Sequence, residues 1–227
     1  MKIPEHIPVK RITLQGIGEE ILAQFNLEKG LGYTVRELLV APDRLITTYL
    51  FEDRSRAMRP LTLLLLVVTV TTLAVLWRFP VETEIRDGIR DSDLPSTLLP
   101  AMEQFIHFFR QYYNLLLMSA LPAIALGSFL LFSALKLNYA EHLVINTYIF
   151  SIQTILTLPF VPFVTLAPWL GIVMAGLSAG YFLYAYRAVF QKNWKAIIWK
   201  TVVIFLIAQS LQGVLMGILF FVFWLMF

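Results

Sequence analysis

A chain of 227 residues that is 58% hydrophobic and 15% charged, with a mean hydropathy of +0.72, carries more apolar surface than a soluble domain buries. Its net charge of +3 is small and dispersed, which gives no footing for a nucleic-acid partner. The absence of cysteine excludes disulfides, thiol catalysis and cysteine-based metal sites.

The first residues, MKIPEHIPVKRITLQG, are polar and lack the apolar core of a signal peptide, so insertion is expected to rely on the first span. Ile17, Ile21, Leu22 and Phe25 recur at helical spacing, and Gly30-Leu31-Gly32 is expected to break that pattern. Thr34-Val35-Arg36-Glu37 reads as a capping box that opens a helix through Val40. Pro42 suits the first turn of another helix, with Leu45, Ile46, Tyr49 and Leu50 on one face. Residues 1–59 thus form a segment of amphipathic helices expected at the cytoplasmic face, on the membrane or against a bundle. Arg54, Arg56 and Arg59 stand just ahead of the first span, where each gains about 1 kcal/mol from anionic lipid.

From residue 60 the chain becomes a series of long apolar runs. Leu61 to Trp77 carries no charge over 17 residues, and only a helix satisfies every backbone group inside lipid. Five spans are expected, over 60–78, 111–135, 142–161, 168–189 and 196–227, which makes the fold an all-α polytopic integral membrane protein. Pro122 should kink the second span, and Pro159 to Pro162 should end the third. The fifth would be about 48 Å long against a hydrocarbon core of about 30 Å, so its excess must tilt, project or lie in the interface. In the loop 79–110, Met102, Phe105, Ile106 and Phe109 are spaced as a helix that could continue into the second span.

Charge sets the expected orientation. Of 18 Lys and Arg, nine precede the first span, Lys136 lies between the second and third, and Arg187, Lys192, Lys195 and Lys200 flank the turn between the fourth and fifth. With the N-terminus inside, 14 basic residues are cytoplasmic and four are outside, as the positive-inside rule requires. The expected place is a bacterial inner membrane, N-terminus cytoplasmic and C-terminus outside.

Thr34, Glu37-Leu38-Leu39, Pro42, Arg44, Tyr49-Leu50, Arg54 and Arg59-Pro60, followed later by Tyr139-Ala140-Glu141-His142, resemble a bacterial membrane family known as domain of unknown function 3667. Its pattern is Thr-x-x-(Glu/Asp)-Leu-Leu, Pro-Gly-Arg, Tyr-Leu-x-Gly-x-Arg and Pro before the first span, then Tyr-Ala-Glu-His. The resemblance covers roughly residues 25–160. Asp43 and Glu52 replace two of the family's usual glycines, and the N-terminal Cys-x-x-Cys zinc ribbon of many members cannot exist here. The family has no established activity, so the resemblance implies fold more than function. In topology alone, the layout also looks like the Yip1-type trafficking proteins.

Glu141 and His142 are the most tempting pair. They suit a proton relay, a lipid-headgroup site or half a metal site. The plainer reading is an interfacial turn, with Glu141 paired to Lys136 or an arginine and His142 capping the third span. Adjacent helical residues project about 100° apart, so the two do not easily share one ion. Arg54 and Arg59 join them as candidate headgroup ligands or structural anchors. Asn138, His142, Asn146, Gln153 and Thr157 form a polar stripe on the third span, and Gln209 and Gln212 lie near the middle of the fifth. They read as interhelical hydrogen bonds rather than a hydrophilic pathway, because no Asp, Glu, Lys or Arg lies deep in any span. Gly171 and Ala175, Gly176 and Gly180, and Gly213-x-x-x-Gly217 are expected to permit close helix approach, within the bundle or between protomers.

No nucleophile, base and orienting group assemble, and Asp87, Asp91 and Asp93 lack the spacing of a calcium loop. The expectation is a non-enzymatic protein with no metal and no cofactor: a subunit or scaffold of a membrane complex. The alternative is a lipid-handling or small-molecule permeation protein that binds an anionic headgroup at the inner leaflet. Expected partners are membrane lipids with anionic headgroups and a membrane protein or further copies of the chain, not nucleic acid.

Overall fold

The computed structural model describes residues 27–78, 98–112, 116, 118–164 and 166–226, and every regular element among them is helical. The expected turn at Ile17 to Phe25, and the acids around Asp87, lie outside the described residues. In chain order the α-helices are α1 (Leu27–Val40), α2 (Pro42–Thr47, continued by a π-helical turn Thr48–Glu52), α3 (Pro60–Arg78), α4 (Leu99–Gln111), α5 (Ala120–Leu131), α6 (Tyr139–Thr157), α7 (Leu170–Phe190) and α8 (Trp194–Met226).

Among the described residues, three helices are long and apolar enough to cross a membrane: α6 with its 3-10 extension to Phe163, α7, and α8. The apolar part of α3, Pro60–Val75, is shorter, and so is the 12-residue α5. Within the expected span 111–135, α5 covers Ala120–Leu131, and 113–115 and 117 lie outside the described residues. Pro122 lies in the first turn of α5, where its missing N–H has no intrahelical acceptor to lose. A 3-10 turn at Ser133–Leu135 and a left-handed Lys136 (φ 55°) then reverse the chain into α6.

α4 and α5 together run antiparallel to α8. Phe105 meets Phe220 and Phe223 edge-on. Gln212 Nε2 donates to the Leu116 carbonyl at 3.0 Å, and Gly127 lies against Ile204. Thus α8 uses its length against two consecutive helices. The main core joins α6, α7 and α8 through Tyr148, Ile152, Tyr186, Phe190, Ile197 and Ile204, and it takes in Leu38, Leu45, Ile46 and Met58 from the N-terminal segment. That segment therefore packs into the bundle rather than lying apart from it.

Two local expectations fail in α1. Gly30 and Gly32 do not break the helix, and Thr34 does not cap one. Gly30 and Thr34 face Met58. A Cβ on Gly30 would sit 3.2 Å from the Met58 nitrogen, and the buried Thr34 Oγ1 accepts from Met58 N–H at 2.8 Å. Tertiary contact overrides the local signal, and the loss of helix propensity at glycine, about 1 kcal/mol, is the cost of that approach.

Candidate functional site

Two polar constructions stand out inside the helices. The first fastens the N-terminal segment. Leu38 would normally give its carbonyl to the N–H four residues on, but that residue is Pro42, which has none. The Tyr181 hydroxyl donates there instead, at 2.9 Å. Arg44 N–H turns to the Ala41 carbonyl, and the Tyr184 hydroxyl takes the Val40 carbonyl at 2.7 Å. Just before Pro60, the Met58 carbonyl accepts from Tyr148 at 2.7 Å. Three tyrosines of α6 and α7 thus satisfy backbone acceptors around the two prolines.

The remaining motif side chains brace the same segment. Glu37, largely buried, binds the Arg44 guanidinium through both Nε (3.0 Å) and Nη2. The Tyr49 ring meets Tyr148 edge-on, with centroids 5.4 Å apart. Arg54 donates to the Tyr49 and Leu50 carbonyls and lies over the Tyr49 ring, so it closes the π-helical turn. The Ser55 hydroxyl and N–H hold the Asp53 carboxyl below its ordinary range, and Arg56 pairs with Asp53 at 3.5 Å. Arg59 is exposed and makes no ion pair among the described residues.

The second construction is a buried network linking α5, α6 and α7. Tyr186 donates to Asn146 Oδ1 at 2.6 Å, and Asn146 Nδ2 donates to Ser128 Oγ (2.9 Å) and to the His142 carbonyl (2.7 Å). Ser128 Oγ lies 2.9 Å from His142 Nδ1 and 3.0 Å from the Ala125 carbonyl. A hydroxyl has one hydrogen and two lone pairs. Every bond is satisfied when Ser128 donates to Ala125 and His142 carries its proton on Nδ1. His142 Nε2 is then a buried acceptor without a partner, and Thr201 Oγ1 is the other orphan among the described residues. Phe190 stacks on the imidazole and Phe129 meets it edge-on.

Glu141 points elsewhere. It forms a capping box with Asn138: Asn138 N–H donates to Glu141 Oε2 at 2.7 Å, and Glu141 N–H donates to Asn138 Oδ1 at 3.0 Å. The cap of α6 is Asn138, not His142, and Glu141 forms no ion pair with Lys136 among the described residues. Gln153 reaches the Ser178 carbonyl of α7 at 2.9 Å, and Gln212 reaches Leu116, whereas Gln209 is exposed. No group of three metal-ligating side chains occurs among the described residues.

The small residues behave differently from an internal packing motif. A Cβ on Gly176, Gly180, Gly213 or Gly217 would meet nothing within 4 Å, Gly171 would only touch Val164, and Ala175 is exposed. The close approach is at Gly127, where a Cβ would meet the Ile204 backbone at 3.3 Å. Ala123 and Gly127 share the four-residue spacing of the other pairs, so the same small-residue signal marks this contact in the sequence.

A groove of about 310 Å³ opens between α5 and α8, lined by Pro122, Ala123, Leu126, Leu211, Gln212 and Tyr139 among others.

No curated protein and no solved structure matches the chain. A family model described as protein of unknown function (DUF3667) matches residues 28–72, the stretch that runs from α1 into α3. The chain is similar to that family over these 45 of its 227 residues.

Proposed function

We propose that this is a non-enzymatic, five-span inner-membrane protein that serves as a subunit or scaffold of a membrane complex, with its N-terminal segment cytoplasmic. The observation that carries the reading is the contrast between the inside and outside of the helices. Inside, apart from His142 Nε2 and Thr201 Oγ1, buried polar side-chain atoms among the described residues are spent on one another or on backbone groups, as in the Tyr186–Asn146–Ser128–His142 network. Outside, α7 and α8 present Gly176, Gly180, Gly213 and Gly217 with no neighbour within 4 Å, beside exposed Ile172, Val214 and Ile218. Small residues on a lipid-facing helix allow another helix to approach closely.

In this reading α3 is the first span, and α4 with α5 completes the second by running alongside α8. The left-handed turns at Lys136 and Gln191, with Lys192 and Lys195, share one end of the bundle, which the positive-inside rule assigns to the cytoplasm. The commitments of Arg54 and Glu141 to helix ends favour structural roles for them over headgroup binding.

The test is affinity purification from native membranes in mild detergent, with mass spectrometry of co-purifying proteins. Recovery of a second membrane protein in stoichiometric amount, lost in Gly176→Leu/Gly180→Leu without a change in melting temperature, is the expected result. Recovery of the chain as a lone monomer from native membranes would sink the reading.

A further inference from the structure

We propose that the groove between α5 and α8 holds an acyl chain of an anionic phospholipid whose headgroup meets Lys136. The walls are apolar: Pro122, Ala123 and Leu126 on one side, Leu211 and Leu215 on the other. Its three polar residues turn their hydrogens away from the groove and onto backbone carbonyls. Ser119 and Gln212 donate to Leu116, and Tyr139 donates to Pro122. With these donors engaged on the protein, a hydrocarbon chain loses little by entering. α5 and α8 touch closely at Gly127 and Ile204, and Gln212 of α8 bonds Leu116, four residues before α5.

Charge selects the head. Tyr139, which lines the groove, lies three residues beyond Lys136, which is exposed in a left-handed turn and makes no ion pair among the described residues. After Gln111 the chain has a single acid, Glu141, and it is committed to the α6 cap. Arg187 lies over Trp194, and Lys200 donates to the Leu131 carbonyl over the Phe132 ring. Lys136 is thus a cation without a carboxylate among the described residues, three positions before a residue that lines the apolar slot. A phosphate with no compensating ammonium complements it, and a zwitterionic headgroup does so less well. The inference rests on the bundle being embedded in a bilayer and does not depend on a partner protein.

The experiment is native mass spectrometry of the full chain in detergent, titrated separately with phosphatidylglycerol, phosphatidylcholine of the same acyl chains, and palmitate. One phosphatidylglycerol should be retained about fivefold better than phosphatidylcholine. Lys136→Gln should abolish that preference, and Ala123→Trp, which fills the groove, should remove retention of both lipids. Leu215→Trp fills it from the opposite wall and replaces Ala123→Trp if that variant does not accumulate. Equal retention of the two phospholipids by the unmodified chain, unchanged retention in the groove-filling variant, or preferential retention of palmitate overturns the proposal. None of these outcomes bears on recovery of a partner protein, so this inference and the subunit reading fail separately.

Discussion

The Tyr181 hydroxyl stands 2.9 Å from the Leu38 carbonyl and replaces the N–H that Pro42 cannot offer. The bond joins the matched N-terminal segment to α7 across 143 positions of chain, and Tyr148 and Tyr184 repeat the arrangement at Met58 and Val40. Removal of a donor to a buried carbonyl costs about 1–3 kcal/mol. Tyr181→Phe and Tyr148→Phe should each lower stability by that much, and Tyr184→Phe, at a more exposed site, by less. Thermal melting of the purified protein in detergent checks the ranking; equal effects at all three would contradict it.

The buried network should show a sharp asymmetry. Asn146→Leu takes the acceptor from the buried Tyr186 hydroxyl and one of three partners from Ser128, and should cost about 1–3 kcal/mol. Thr201→Val removes a hydroxyl that has no partner and keeps the side chain's shape. It should leave the melting temperature unchanged or raise it. A large loss in Thr201→Val would mean that its hydroxyl has a partner.

Glycine substitutions separate packed from unpacked surfaces. Gly127→Ala drives a Cβ toward the Ile204 backbone at 3.3 Å, and overpacking of this kind costs about 1–3 kcal/mol. Gly213→Ala meets open space and should gain up to about 1 kcal/mol of helix propensity. Melting of the two variants side by side decides the point; a stabilised Gly127→Ala would refute the close contact.

At the head of α6, Glu141→Ala breaks the capping box and should cost about 0.5–2 kcal/mol, and Glu141→Gln should retain most of the cap because Gln also serves at that position. If Glu141→Gln were as damaging as Glu141→Ala in folded protein, its charge would matter beyond the cap.

The helical class and the polar stripe were legible from residue spacing: Asn146 does bond within its own helix to His142, four residues back. Its partners Ser128 and Tyr186 were not legible, because they arrive from other helices and neither carries a local pattern. Local rules misread α1 for the same reason. Glycine pairs and a Thr-x-x-Glu signature describe a helix end only if the chain is otherwise free, and here Gly30 and Thr34 answer to Met58, 28 and 24 positions away. The small-residue ridges show the reverse limit. Spacing finds surfaces that permit close approach but does not tell which neighbour uses them, and within the described chain none does so at Gly176, Gly180, Gly213 or Gly217.

The tyrosine clasps also impose a timetable on synthesis. The acceptors at Leu38 and Val40 are made first, and their donors follow 143 and 144 residues later. At about 5–20 residues per second the ribosome leaves those carbonyls without their final partners for roughly 7–29 s. The segment that the family model matches is therefore made well before it is locked. During that interval its apolar face, including Leu38, Leu45 and Ile46, must be sheltered by lipid or by the insertion machinery.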